Sequence, residues 1–128
     1  MIKIDNEKVI FLHNLLIEKT GGEPNLRDAN LLDSSIQQVY QTFDGKELYK
    51  TKEEKAARLG YSLISNHAFV DGNKRIGVYV MLTFLEVNGV SVDFTNDEIV
   101  DIGMKIASSK MSYEELLDAI RAHIKWFN

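Results

Sequence analysis

The sequence predicts an all-α domain built around one buried central helix. Three observations predict it. Helical start and stop signals divide the chain into six segments, three of them opening on the pattern Ser/Thr-x-x-Glu. A single proline, Pro24, leaves long stretches free to be helical. One mostly apolar run, Ile76 to Val87, is too short for a bilayer and suits a core helix.

The first helix is expected over about Asn6–Thr20, with Val9, Leu12, His13, Leu16 and Ile17 on one face. Gly21 and Gly22 stop it. A loop through Pro24 leads to Asp28, the N-cap of a second helix carrying Leu32, Ile36, Val39, Tyr40 and Phe43. Gln41 to Thr51 breaks the periodicity. Its Asp44-Gly45 is a strong turn signal, so a short flap or hairpin is expected near residues 43–51. Thr51 and Glu54 cap a third helix with an inner face of Ala56, Leu59 or Gly60, Leu63, Ile64 and His67. The fourth runs from Asn73 to the stop pair Asn88-Gly89. Val90 to Phe94 is short and extended. Thr95 with Glu98 opens a fifth helix and Ser112 with Glu115 a sixth, which buries Leu116, Leu117, Ile120, Ile124 and Phe127. Mostly short connections make a compact bundle of antiparallel neighbours.

With 128 residues, 45% of them hydrophobic, the chain fits one domain, 1–128, with a real core. A net charge of -4 argues against direct nucleic-acid binding. The absence of cysteine excludes disulfide scaffolds, zinc–thiolate sites and cysteine nucleophiles. No secretory leader or membrane span is visible, so a cytoplasmic location is expected.

The chemistry concentrates in HAFVDGNKRIG, His67 to Gly77. A helix N-terminus carries unpaired N–H groups and about half a positive charge. Lys74 and Arg75 oppose that dipole, which makes sense if a polyanion sits before them. Gly72 lets the backbone approach a ligand. Asp71, a lone carboxylate beside phosphates, suits Mg²⁺. His67 ends the preceding helix, and histidine's ordinary pKa near 6.5 suits a general base. The residues alone leave a second reading open, in which D-G-N is an ordinary turn and both cations are solvated. No P-loop is present. His13, on an apolar face, reads as a hydrogen-bonded core histidine and His123 as structural; the three histidines lack zinc spacing. The pairs Glu53–Glu54, Asp97–Glu98 and Glu114–Glu115 answer helix dipoles rather than substrates.

HAFVDGNKR resembles the Fic/Doc signature H-x-F-x-[DE]-[AG]-N-[GK]-R, seven constrained positions in nine. LHNLLIEKTGG, LRDANLLDSSI and FLEVNGVSV extend the likeness over nearly the whole chain, toward the death-on-curing branch. The resemblance implies the Fic/Doc fold, His67 as base and Asp71 as Mg²⁺ ligand. It implies Gly72, Asn73, Lys74 and Arg75 as holders of the ATP phosphates and Phe69 as the inward anchor of the loop. AMP-transferring members have glycine where Lys74 stands and a second arginine where Val78 stands. Lys74 and Val78 therefore favour transfer of the γ-phosphate, by resemblance to a hydroxyl of elongation factor Tu. Gly72, where the best-known death-on-curing motif has alanine, keeps AMP transfer as the alternative; a non-catalytic antitoxin-binding module is the other. No glutamate is followed by Gly or Asn, so the self-inhibitory motif of the family is missing. A cognate antitoxin acting in trans is implied instead.

Overall fold

A computed structural model describes residues 1–125. Six α-helices and one small hairpin make up the described chain: α1 Asn6–Thr20, α2 Ala29–Gln37, β1 Thr42–Phe43, β2 Lys46–Glu47, α3 Lys52–Asn66, α4 Asn73–Val87, α5 Asn96–Ala107 and α6 Tyr113–Ala122. The caps expected at Asp28, Thr51, Thr95 and Ser112 open four of the six helices, and Asp5, not foreseen, opens α1. Asp5 accepts from the Lys8 amide at 2.8 Å, and Asp28 from those of Asn30 and Leu31 at 3.0 Å. Thr51/Glu54, Thr95/Glu98 and Ser112/Glu115 form reciprocal capping boxes, each satisfying two orphan amides.

The core sits on the α3–α4 crossing, as the apolar character of the fourth segment predicts. Ile76, Val80, Phe84 and Leu85 of α4 are wholly buried, and α3 contributes Leu59, Leu63 and Ile64. Glycines let the two backbones close. A Cβ on Gly77 would lie 2.3 Å from Ile64 Cγ1 and 3.1 Å from the Gly60 carbonyl, and one on Gly60 3.3 Å from the Gly77 carbonyl. In a close-packed interior such an overlap is resolved only by moving a helix. α1 and α5 cover α4, whereas α2 and α6 cover α3. One strip of α4, including Lys74, Arg75 and Tyr79, still meets solvent.

Three sequence expectations change. The second helix ends at Gln37 and tightens into a 3₁₀ turn over Gln38–Tyr40, so Phe43 leaves the helical face. It lies on β1 and is 75% exposed, because Asp44-Gly45 forces the chain to reverse. His67 is not on the inner face of α3. It closes that helix in the left-handed region, φ 51 and ψ 53, and is exposed. Ile124 lies beyond α6, half-buried, bridging antiparallel to Val92, with the Asp93 amide donating to the His123 carbonyl at 3.0 Å. Phe127 lies outside the described residues. His13 and His123 are structural, as expected: His13 is wholly buried, and His123 bonds to Glu98 at 2.6 Å. Among the described residues no helix is long and apolar enough to cross a membrane.

Candidate functional site

Residues 67–72 form the link between α3 and α4, and neighbours hold most of its backbone carbonyls. Arg27 takes the end of α3: its Nε donates to the His67 carbonyl at 2.7 Å and its Nη2 to that of Asn66 at 3.2 Å. This clamp offsets the cost, on the order of 1–3 kcal/mol, of a left-handed non-glycine residue. The amides of Arg27 and Asp28 donate to the Ala68 carbonyl, and the Val70 amide donates to that of Asn25. Phe69 is 2% exposed and stacks on the His13 ring, centroids 3.8 Å apart and planes 13° apart. Burying such a ring contributes about 1.5–3 kcal/mol. Phe69 is therefore the apolar pin beneath the link.

Asn73 closes the link on itself. Its Oδ1 accepts from the Phe69 amide at 3.0 Å and its Nδ2 donates to the Phe69 carbonyl at 2.9 Å. The Asn73 side chain thus braces the loop, while the residue also lines the cavity beside it. His13 Nε2 donates to the Asp71 carbonyl at 2.7 Å, and the Ile76 amide donates to the Gly72 carbonyl at 2.9 Å. The carbonyls of residues 68, 69, 71 and 72 are all bonded into the protein. The amides of Gly72, Asn73, Lys74 and Arg75 have no acceptor among the described residues, as the first turn of a helix leaves them.

Beside this helix start lies a cavity of about 460 Å³, lined by Asp71 to Arg75 and Val78, with Ile99, Val100, Gly103 and Met104 of α5 opposite. One wall is polar and rich in donors; the other is apolar. Gly103 faces Lys74 across the cavity, where a Cβ would make only ordinary contact, 3.4 Å from the Lys74 carbonyl. Val78, 2% exposed, puts a small apolar side chain in the wall. The charges around this cavity do not neutralise one another. Among the described residues neither Lys74 nor Arg75 forms an ion pair, and Asp71 has no cationic partner. Arg75 is instead held by the Thr20 hydroxyl at the end of α1, while Asp71 Oδ2 accepts from the Glu23 amide at 3.3 Å. Gly22 makes room for that carboxylate: a Cβ there would stand 3.0 Å from Asp71 Oδ2.

The structure brings Asp71, Gly72, Asn73, Lys74 and Arg75 around one cavity. Phe69 lies beneath the link and His67 is exposed at the end of α3, outside the cavity lining. For Mg²⁺, no group of three or more acidic or histidine ligands occurs among the described residues. Asp71, a single exposed carboxylate, fits an ion whose other ligands are phosphate oxygens and water. Sequence reasoning missed Arg27, Thr20, the role of His13 and the α5 wall. Only His13 left a signal, a polar aromatic on a buried face. Burial, and then the Arg75 charge, hold the His13 imidazole below its ordinary pKa, against the Asp71 hydrogen bond.

The helix–loop–helix link thus turns its carbonyls inward and leaves amides and unpaired charges beside a cavity. This chain belongs to the Fic/Doc family: the model of that family matches residues 3–85. Over 126 residues it is 36% identical to Toxin Doc of Mycolicibacterium smegmatis, covering 97% of this chain and 92% of that protein. It is 31% identical over 121 residues, 94% of each, to the protein kinase Doc of Escherichia phage P1.

Proposed function

We propose that residues 1–128 form a single Doc-type toxin domain that moves the γ-phosphate of ATP onto a hydroxyl of a target protein in the cytoplasm, with elongation factor Tu as target by family resemblance. One observation carries the reading: Asp71 and the cations Lys74 and Arg75 share a cavity without pairing to one another. A protein-only function would let these charges neutralise; charges held apart suit a ligand that carries both phosphates and a metal.

In this reading the amides of Gly72 to Arg75 and the side chains of Lys74 and Arg75 hold the phosphates. Asp71 holds Mg²⁺, which supplies charge neutralisation of the triphosphate when bound. His67 takes the proton of the attacking hydroxyl onto a ring nitrogen, the hydroxyl oxygen bonds to the γ-phosphorus as the bond from that phosphorus to the β,γ-bridging oxygen breaks, and ADP leaves. Catalysis then rests on positioning and electrostatics, as phosphoryl transfer generally does. Val78 supports γ-phosphate rather than AMP transfer, since a buried valine offers no second guanidinium to grip the α-phosphate. Restraint by an antitoxin in trans is part of the same reading.

The test incubates the protein with elongation factor Tu and ATP labelled at either the α- or the γ-phosphate. Expected is γ-label on the target, reduced at least about 100-fold in His67→Ala, the usual worth of a general base. Transfer of α-label would establish AMP transfer instead. Transfer of neither label, with ATP bound, would leave a non-catalytic antitoxin-binding module.

A further inference from the structure

We propose that His13 is a positioning residue: its Nε2–H locks the Asp71–Gly72 peptide with the carbonyl turned into the protein and the Gly72 amide turned toward the cavity. The proposal rests on the phosphate-binding reading of that cavity and adds what sets the polarity of its backbone wall.

In a trans peptide the C=O and N–H point in opposite directions, so whichever group anchors one aims the other. The Asp71 carbonyl lies 2.7 Å from His13 Nε2. A carbonyl only accepts, so Nε2 carries the proton and Nδ1 is a bare lone pair. Nδ1 is buried without a partner among the described residues, so the ring has a single polar engagement, this one. The peptide needs such a lock because it can flip. Gly72 sits at φ +77, and X–Gly peptides rotate between turn types at little steric cost, glycine accepting either sign of φ. Rotated, the peptide would aim a carbonyl oxygen at the phosphates and repel them. Asn73, engaged with Phe69, and Arg27, engaged with Asn66 and His67, leave this peptide to His13.

The ring is suited to the task in two ways. It is wholly buried, so water does not compete for the carbonyl. It also stacks 3.8 Å from Phe69, which fixes the imidazole plane and therefore the direction of Nε2. A Cβ built on Gly72 would lie 3.4 Å from Nε2, so a side chain there would meet the donor.

The experiment compares inorganic pyrophosphate binding by wild type, His13→Phe and His13→Gln. It uses calorimetry together with the ¹H–¹⁵N amide signal of Gly72. Phenylalanine keeps the stack and removes the donor; glutamine restores an N–H. Expected is a loss of at least about tenfold in affinity for H13F, with the downfield shift of the Gly72 amide abolished, and recovery to within about threefold of wild type for H13Q. The imidazole nitrogens of wild type, read by ¹⁵N chemical shift, are expected to show Nε2 protonated and Nδ1 bare; the opposite tautomer overturns the lock even if a variant fails to fold. Equal binding by wild type and H13F overturns the lock and leaves the phosphate site standing. Equal loss in H13F and H13Q also overturns it, since the ring then matters only for packing. No binding by wild type overturns the phosphate site and the lock with it.

Discussion

Two Asp-Gly turns occur in this chain, and they are built to opposite ends. Asp44-Gly45 has both residues at positive φ, 53 and 75, which suits a hairpin turn of the primed type. Both its strands are exposed, Phe43 is 75% exposed, and nothing lies within 4 Å of a Cβ built on Gly45. Asp71-Gly72 has only Gly72 in that region. A Cβ there would meet Ile17 Cδ1 at 3.3 Å, His13 Nε2 at 3.4 Å and Arg75 Nη2 at 3.5 Å. The same dipeptide thus serves an adaptable surface in one place and a fixed array of donors in the other. What differs is the number of neighbours that claim its backbone. The hairpin closes on itself through Thr42–Glu47 and Phe43–Lys46, while the link between α3 and α4 is bonded by α1, by residues 25–28 and by its own Asn73.

The matched substitutions Gly72→Ala and Gly45→Ala break this comparison most directly. Alanine in the left-handed region costs about 1–2 kcal/mol at either turn. At Gly72 the added methyl also meets Ile17 Cδ1 at 3.3 Å in the packed link, so the strain is borne by the whole fold, while γ-phosphate transfer should fall no more than about tenfold, because the family signature admits alanine at this position. At Gly45 the strain can be relieved by opening the hairpin alone, so the melting temperature should fall less than for G72A. Thermal melts and the label-transfer assay on both variants decide it, and a G45A melt as depressed as that of G72A would erase the contrast.

Next in size is Lys55, which ties the hairpin to α3. Its side chain is 2% exposed, its Nζ donates to the Tyr49 carbonyl, and it lies 3.3 Å from Glu47 Oε1. Lys55→Met keeps the stem and deletes the ammonium. Losing a charged hydrogen bond costs about 1.5–3 kcal/mol, offset in part because no charge then needs burying. Exchange of the Leu48 amide, bonded to the Gln41 carbonyl at 3.0 Å, should quicken about tenfold, with amides of α4 unchanged. Quickening in both places would mean that the hairpin is not a separable unit.

The smallest effect is expected at the far joint of α5 and α6. His123 Nδ1 and Nε2 face the Ala119 carbonyl at 2.7 Å and the Glu98 carboxylate at 2.6 Å, two acceptors that together call for the doubly protonated ring. The Ala119 hydrogen bond first, then Glu98, raises the His123 pKa, while the Thr95 amide and His123 lower that of Glu98. A raised histidine pKa stabilises fully below the unfolded value near 6.5 and ceases to do so as pH rises through the folded one. The melting temperature of wild type relative to His123→Gln should therefore be higher at pH 6 than at pH 8, by roughly 1–4 °C. An unchanged difference between the two pH values would show that the ring is neutral in the folded protein.

Local signals in the sequence were enough for the elements and not for what joins them. Caps at Asp28, Thr51, Thr95 and Ser112 act within three residues, so their bonds can be read from spacing. Phe43 was misassigned because a helical period continues through Tyr40 with nothing local to stop it before the Asp44-Gly45 turn. His13 was legible as buried, yet its partner lies 58 residues away. Arg27 has no periodicity or motif about it, and its clamp reaches 39 and 40 residues along the chain. The motif residues Asp71 to Arg75 were legible together because one helix start carries them. The α5 wall opposite is ordinary amphipathic helix until the fold presents it.

At the opposite end of α4 the chain closes on its own beginning. Asn88 accepts from the Ile2 amide at 2.7 Å and donates to the Ile2 carbonyl at 2.9 Å, while Lys52 donates to the Asn88 carbonyl at 2.7 Å. This knot holds Ile2 and the start of α3 beside the end of α4. The fifteen residues of α4 separate it from Gly72 at the helix start, a span of roughly 22 Å. A fluorophore placed there becomes a ruler of known length to the cavity, on which a labelled nucleotide would test the proposed site. A peptide grafted there as a built-in inhibitor would need about seven extended residues merely to reach the cavity.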